Sequence, residues 1–152
     1  SGTGCIYSPN FSLGVNLFSR IVDESSKLVN KISDYDVFVY EGHHNQKIDS
    51  PSGTARAVGD IILKNIKRKK KLVFDKLDRK ILPEELHVAS FRAGYIPGTH
   101  VVGFDSEADT IELKHTARNR AGFALGALLA AQWIQNKKGF YTMQDFMADF
   151  FK

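Results

Sequence analysis

Cysteine is almost absent from this sequence, and its scarcity excludes two kinds of stabilising cross-link. The one cysteine, Cys5, has no partner for an internal disulfide, and no cysteine cluster is present to hold a structural zinc ion. Hydrophobic runs of membrane-spanning length are also missing, as are the charged and apolar regions of a secretory signal. These absences predict a cytoplasmic protein that does not interact with a membrane.

A nucleotide-binding fingerprint is missing as well. Gly2 and Gly4 form a Gly-x-Gly, but no strand precedes it and no third glycine follows at the required position. We interpret residues 1–4 as a linker or a cloning remnant. Residues 5–152 are interpreted as one domain, because a chain of 152 residues with 43% hydrophobic content suits a single core. No residue of this chain is therefore predicted to bind a nucleotide cofactor.

What the sequence does contain is an alternation of strand and helix patterns. Strands are predicted over residues 5–8, 35–41, 86–92, 98–104 and 110–116, and helices from 9–12, from 55 and over 121–134. The last two strands should form a hairpin. Apolar residues of the first helix form a stripe of Leu13, Leu17, Ile21, Leu28 and Ile32, widened by Phe18, Val22 and Val29. The pattern predicts an α+β fold in which helices cover one face of a mixed sheet.

Chemically active residues concentrate between residues 41 and 55, where a strand pattern gives way to a helix pattern. Two adjacent histidines, a lysine and an aspartate lie on this predicted loop. Ser52 or Thr54 can cap the helix, and Gly53 leaves its backbone open to a ligand. Unpaired N–H groups in a first helical turn, together with the helix dipole, bind a carboxylate or phosphate. The segment therefore predicts an anion site beside groups that can donate a proton.

Plainer interpretations of the histidines and the helix start remain open. Serine and glycine are common at ordinary helix starts, and adjacent histidines are often surface residues. A metal site is disfavoured because no second ligand pair with i, i+4 spacing accompanies the histidines and Asp49. His87 and His100, each on a predicted strand, are interpreted as ordinary half-buried or surface residues.

A basic run extends from Lys64 to Lys80. Such a concentration of charge can bind nucleic acid or an anionic surface. The run lacks interleaved aromatic residues and any groove-reading motif, so we interpret it as a solvated, mobile loop. A non-catalytic anion-binding or nucleic-acid-binding module is the alternative function.

The spacing in residues 41–55, Glu-x-His-His-x-x-Lys-x-Asp-x-Pro-Ser-Gly-Thr-Ala, resembles the signature of the 4-hydroxy-tetrahydrodipicolinate reductase (dihydrodipicolinate reductase) family. One departure is Phe38, at a place where the family often has an acid. Three further segments are similar to family segments: Ser8–Asn16, Arg92–His100 and His115–Arg120. The resemblance covers nearly all of residues 5–152.

The resemblance implies a role for each matching residue. His43 would be the acid/base group, and Lys47 would donate a second proton or stabilise charge. A substrate with two carboxylates needs separate anion sites, for which the candidates are His44, Gly53, Thr54 and Arg120. Asp49 would be a structural partner of the loop or of Lys47, and Ser52 would be a cap rather than a ligand.

The resemblance also implies what this chain lacks. Family members begin with a Rossmann domain that binds NADH or NADPH, and no such unit occurs here. The chain would be the substrate-binding, catalytic and oligomer-forming half, similar to the C-terminal domains of dihydrodipicolinate reductase and glyceraldehyde-3-phosphate dehydrogenase. We expect a homotetramer formed through the free sheet face. Residues 140–151 should pack against the missing nucleotide-binding domain.

The implied activity is the NAD(P)H-dependent reduction of a cyclic dicarboxylic imine, giving tetrahydrodipicolinate in lysine and diaminopimelate biosynthesis. This chain alone should bind dicarboxylates without turnover. A related dehydrogenase with another substrate is the other alternative, because sheet domains of this sort serve several dehydrogenases.

Overall fold

The structure, a computed structural model, describes residues 2–74 and 76–151. The elements in chain order are β1 (Gly4–Tyr7), α1 (Leu13–Val29), β2 (Asp36–His43), α2 (Gly53–Asn65), β3 (Lys71–Val73), β4 (Glu85–Arg92), β5 (Thr99–Asp105), β6 (Thr110–Thr116), α3 (Ala121–Trp133), β7 (Gly139–Thr142) and α4 (Met143–Phe150). The chain divides into two units. The central unit is Phe18–Arg118, and the terminal unit combines the N-terminal part that ends at Leu17 with the C-terminal part that begins at Asn119.

One mixed sheet of five strands, in the order β3-β4-β2-β5-β6, forms the backbone of the central unit. Strand β2 pairs in parallel with β4 and antiparallel with β5. Strands β5 and β6 form the antiparallel hairpin that the sequence predicts. The mixed α+β architecture is therefore confirmed.

Helices α1 and α2 pack on one face of this sheet because the strands alternate between apolar and other residues. On β2, Val37 and Val39 point to the core, and the partners of Val39 on β5 and β4 are the buried Val102 and Val88. Helix α2 contributes Ala55, Val58 and Ile62 to the same cluster, at the spacing of one helical face. Each fully buried valine or isoleucine contributes about 1.5–3 kcal/mol of transfer free energy.

The face of α1 that meets the sheet differs from the one the sequence suggests. Phe18, Val22 and Val29 are buried, whereas members of the predicted central stripe, such as Ile21 and Leu28, are 44% and 65% exposed. Two apolar arcs lie side by side on this helix, so its periodicity marks an apolar side without deciding which arc faces the sheet. Within the described residues, no helix combines the length and apolarity needed to cross a membrane.

The opposite face of the sheet carries aromatic side chains that lie over glycines. A Cβ added at Gly103 would lie 2.0 Å from the ring of Phe38, and one at Gly42 would lie 2.3 Å from the ring of Phe91. Phe38 also stacks on Tyr40 with ring centroids 6.4 Å apart. The expectation that this face is covered by sister subunits stays a prediction.

The basic run is not a solvated loop throughout: Lys69 and strand β3 depart from that interpretation, while the other lysines of the run are exposed. Lys69 is buried, and its Nζ donates to the carbonyl oxygens of Pro83 and Glu85 and lies 2.7 Å from a carboxylate oxygen of Asp36. Strand β3 then begins within the run. A lysine can be buried in this way because its aliphatic stem packs while its ammonium group is fully hydrogen-bonded. This charge is therefore not available to a nucleic acid.

The terminal unit joins both chain ends through a parallel pairing of β1 with β7. Gly4, placed in the terminal segment by the sequence, is the first residue of β1. Helix α3 approaches the segment between β1 and α1 closely, since a Cβ at Gly126 would lie 1.8 Å from the carbonyl oxygen of Phe11. Helix α4 begins with a capping box between Thr142 and Asp145. The small core of the terminal unit consists of Met143, Phe146 and Met147, packed with Trp133 and Leu129 among others.

Candidate active site

A row of polar side chains crosses the core face of the central sheet, beyond the apolar residues. Glu41 on β2 is paired in register with Ser90 on β4 and with His100 on β5, and His100 is paired with His115 on β6. Directly paired residues share a face, and Glu41 is two residues after the core residue Val39. A carboxylate is thereby placed on the buried side of the sheet, with 0% exposure.

Glu41 is surrounded by donors, as a buried carboxylate must be. Its Oε1 lies 2.9 Å from a guanidinium nitrogen of Arg92 and accepts from the N–H of Ser52 at 3.2 Å. Its Oε2 contacts Nδ1 of His43. Burial acts to raise the pKa of Glu41, but Ser90, Arg92, His43 and the Ser52 N–H outweigh it and hold the pKa below its ordinary value. Glu41 is therefore an anion.

His43 ends β2 with its two ring nitrogens in different surroundings. Nδ1 faces Glu41, while a Cβ added at Gly98 would lie 3.1 Å from Nε2. Gly98 has φ +145°, a conformation that side-chain-bearing residues rarely adopt, so this close approach depends on glycine. Burial lowers the pKa of His43; the charge of Glu41 opposes this, and Lys47 and Arg92 reinforce it. At neutral pH the ring is neutral and can take up and release a proton at Nε2.

His100 lies behind this pair and is a site residue that the sequence interpretation missed. Its Nε2 is 3.2 Å from Oγ of Ser52 and 3.9 Å from Glu41, and its ring meets that of His43 edge-on with centroids 5.2 Å apart. Burial lowers the pKa of His100 to about 4, assisted by the charge of His43. Considered alone, His100 has no sequence feature that marks it as a site residue. It alternates in step with Val102 and Phe104 on β5, and this two-residue spacing would have placed it on the core face.

Lys47 lies on the turn after β2 and is held by the turn itself. Its backbone N–H donates to the carbonyl oxygen of His44 at 3.1 Å, and its Nζ lies 2.6 Å from a carboxylate oxygen of Asp49. Arg92 donates to the backbone carbonyl of Asp49, so one guanidinium links the turn to Glu41. The Lys47 hydrogen bond is the main cause that lowers the pKa of Asp49, and the N–H groups of Asp49 and Gly53 add to it. The expected partnership of Asp49 with Lys47 is thus present.

Helix α2 begins where the turn ends, with Ser52 as its N-cap. The Ser52 hydroxyl accepts from the N–H of Ala55 at 3.2 Å, while its own N–H binds Glu41. Around Gly53, no atom comes within 4 Å of an added Cβ. Thr54 follows on the first turn and is half-buried. The helix start thus has room for an anion on the side of Gly53, where the Gly53 N–H now donates to the Asp49 carboxylate.

The sequence-predicted residues fall into two groups in the structure. His43, His44, Lys47, Gly53 and Thr54 all lie on the strand-turn-helix segment of the central unit. Arg120 belongs to the terminal unit, where it is the N-cap residue of α3 without a side-chain capping bond. Its contribution to the site stays a prediction.

Glu41, His43 and His100 also lie close enough to be considered as metal ligands, since one ligand atom from each falls within 4.8 Å of the others. The charge around them disfavours a cation, because the guanidinium of Arg92 lies 2.9 Å from the same carboxylate. Glu41 and His43 are already in contact with each other. We therefore assign no metal to this cluster.

Comparisons with known proteins identify relatives along nearly the whole chain. The model of the family described as "Dihydrodipicolinate reductase, C-terminus" matches residues 14–147. A 4-hydroxy-tetrahydrodipicolinate reductase of Christiangramia forsetii is 42% identical over 97% of this chain and 60% of its own length. One from Archaeoglobus fulgidus is 45% identical over 93% of this chain and 56% of its own length. The chain therefore spans little more than half the length of these relatives.

A solved structure supports the fold independently. Dipicolinate-bound dihydrodipicolinate reductase from Paenisporosarcina sp. TG-14 superimposes with a TM-score of 0.72 at 23% identity, over 93% of this chain and 53% of the other. At this identity the likeness bears on the architecture alone.

Proposed function

We propose that this chain, which belongs to the family of dihydrodipicolinate reductase C-terminal domains, binds and protonates the substrate of an NAD(P)H-dependent 4-hydroxy-tetrahydrodipicolinate reductase. The reaction reduces a cyclic dicarboxylic imine to tetrahydrodipicolinate in lysine and diaminopimelate biosynthesis, and we assign it to the cytoplasm. One observation carries the proposal: a single strand-turn-helix segment holds a buried Glu41–His43 pair, Lys47 and the open start of α2.

The chemistry requires a proton donor next to an anion site. Reduced nicotinamide, when bound, supplies the hydride. Negative charge then builds across the adjacent carbon and nitrogen, and a positioned acid must neutralise it. His43 delivers the proton from Nε2 of its imidazolium form and becomes neutral with its hydrogen on Nδ1, which faces Glu41. Lys47 stabilises the developing charge or donates a second proton.

The substrate's carboxylates are held by groups on both sides of the turn. Lys47 and the N–H groups of Gly53 and Thr54 bind one carboxylate, and the Thr54 hydroxyl, His44 and Arg120 supply further anion contacts. Asp49 is paired with Lys47, so this ion pair must break when a substrate carboxylate binds Lys47. No residue described here forms a dinucleotide fingerprint, and we assign NADH or NADPH to a separate nucleotide-binding domain.

Two surfaces complete the proposed assembly. The sheet face that carries Phe38, Tyr40 and Phe91 is assigned to the homotetramer interface. The exposed rings of segment 140–151, which include Phe140 at 69% and Phe150 at 51%, are assigned to contact with the nucleotide-binding domain, while Met143, Phe146 and Met147 pack within the terminal unit.

Calorimetric titration with dipicolinate tests the anion site on this chain directly. Wild type should bind, and Lys47→Ala should bind about 10- to 100-fold more weakly, as expected for loss of a hydrogen bond to a charged group. Lys31→Ala is the matched control, because Lys31 is an exposed lysine just beyond the end of α1 and outside the strand-turn-helix segment. Equal binding by wild type and Lys47→Ala, or no binding by wild type at millimolar ligand, would remove the site assignment.

A further inference from the structure

Glu41 is a buried anion that the proposed reaction does not consume. It is 0% exposed, and its Oε2 contacts Nδ1 of His43. Keeping an ionised carboxylate out of water is costly unless its oxygens are bound. The chain supplies Arg92, the Ser52 N–H and the Ser90 hydroxyl for this purpose, and the first two bind the same oxygen, Oε1.

The other oxygen, Oε2, contacts Nδ1 of His43. His100 cannot replace His43 as the donor, because its Nε2 is 3.9 Å from Oε2, beyond hydrogen-bonding distance, and is engaged with the Ser52 hydroxyl at 3.2 Å. A carboxylate only accepts hydrogen bonds. The contact therefore requires a hydrogen on Nδ1 of His43, and in the neutral ring Nε2 must carry none.

The charges that face His43 come from four elements. Glu41 is on β2 itself, Lys47 is on the turn, Arg92 is on β4 and His100 is on β5. Lys47 and Arg92 are cations and oppose a second positive charge on the ring. Of these groups Glu41 alone is negative, so it is the one that stabilises the imidazolium form required of an acid.

We propose that Glu41 is the positioning residue of the proton donor, holding His43 with Nδ1–H toward the interior and Nε2 beside Gly98, ready to gain and lose the transferred proton. Arg92 and the N-cap Ser52 hold Glu41 in turn, so the same contacts that start α2 orient the ring. This inference rests on the proposed function for the role of His43. The orientation itself is independent of any substrate.

Nitrogen-15 NMR of the imidazole rings in the wild-type chain tests the orientation directly. At a pH where His43 is neutral, its Nδ1 should show the shift of a protonated nitrogen and its Nε2 that of an unprotonated one. The opposite tautomer in wild type would overturn the proposal, and this result needs no variant.

Glu41→Gln tests whether the carboxylate is the cause. The amide can present either its oxygen or its NH₂ group to Nδ1, so the single tautomer should become a mixture. Proton affinity of His43 should fall about tenfold or more, because the one stabilising anion is gone. Glu41→Asp, which keeps the charge at a shorter reach, should restore part of both properties. Unchanged tautomer and proton affinity in Glu41→Gln would contradict the proposal.

Glu85→Gln is the matched control for this experiment. Glu85 is also a buried carboxylate on the central sheet and is bound by Arg79 at 2.7 Å, but no described contact links it to His43. Its amide variant should leave the His43 spectrum unchanged. Dipicolinate titration of the same samples separates the two claims. Correct tautomer without dipicolinate binding would end the proposed function and leave the positioning role intact.

Discussion

Two acid-base pairs lie on the same strand-turn-helix segment and differ sharply in exposure. The Glu41 and His43 side chains are 0% and 9% exposed, whereas those of Asp49 and Lys47 are 58% and 24% exposed. A buried pair is fixed by its surroundings, since breaking it leaves a charge without water. An exposed ion pair contributes only about 0–1 kcal/mol and exchanges partners readily. The segment thus combines a fixed buried pair, to which we assign the proton donor, with an exposed pair, to which we assign the anion site.

The largest expected difference between the two pairs is in stability. Glu41→Ala should lower the free energy of unfolding by about 3–5 kcal/mol, because it leaves Arg92 without its buried counterion. Asp49→Ala should lower it by less than about 1 kcal/mol. Urea unfolding followed by circular dichroism measures both values. Similar losses in the two variants would show that burial does not distinguish the pairs.

Acidification should lower the stability of the folded chain through His100, which lies beside the buried pair. The folded pKa of His100 is about 4, below its ordinary value near 6.5. Between these two pH values the unfolded chain is protonated at His100 and the folded chain is not. The resulting stability is present above pH 6.5 and is lost as the pH falls toward 4, by about 2 kcal/mol between pH 6.5 and pH 5.

The measurement is the urea midpoint of wild type and His100→Gln across this pH range. His100→Gln should flatten the dependence. An equally steep loss of stability in the variant would assign the effect to other groups.

Ligand affinity should show the smallest effect, at the exposed pair. Asp49→Asn should raise the affinity for dipicolinate about three- to tenfold, because Lys47 no longer has an internal anion to exchange for the ligand. Calorimetry checks the direction. Asp78→Asn is the control, since Asp78 also pairs with a lysine two residues away, Lys76, but in a more exposed position outside the site. Weaker binding by Asp49→Asn would mean that Asp49 supports the ligand instead of competing with it.

Patterns local in the chain were sufficient to predict the segment that carries both pairs. The alternation in β2, the Ser52 cap and the α2 spacing are short-range features, and the β5–β6 hairpin follows from adjacent strands. The resemblance of residues 41–55 to a reductase family then supplied the roles proposed for His43 and Lys47. Neither depends on knowing which strands are neighbours in the sheet.

The partners of Glu41 could not be predicted in the same way. Arg92, Ser52 and His100 reach Glu41 from a parallel neighbour, a helix start and an antiparallel neighbour, and strand order is not written in local periodicity. The same limit explains why the sequence predicted neither the exposure of one apolar arc of α1 nor the burial of Lys69. Each depends on which other part of the fold packs against that residue.

A crystal structure of this chain with dipicolinate bound tests the central claim most directly. The account predicts one carboxylate on Nζ of Lys47 and the N–H groups of Gly53 and Thr54, with Asp49 displaced. The ligand ring should face Nε2 of His43, and the Glu41–His43 contact should be unchanged. Dipicolinate bound elsewhere, with the Lys47–Asp49 pair intact, would contradict the account.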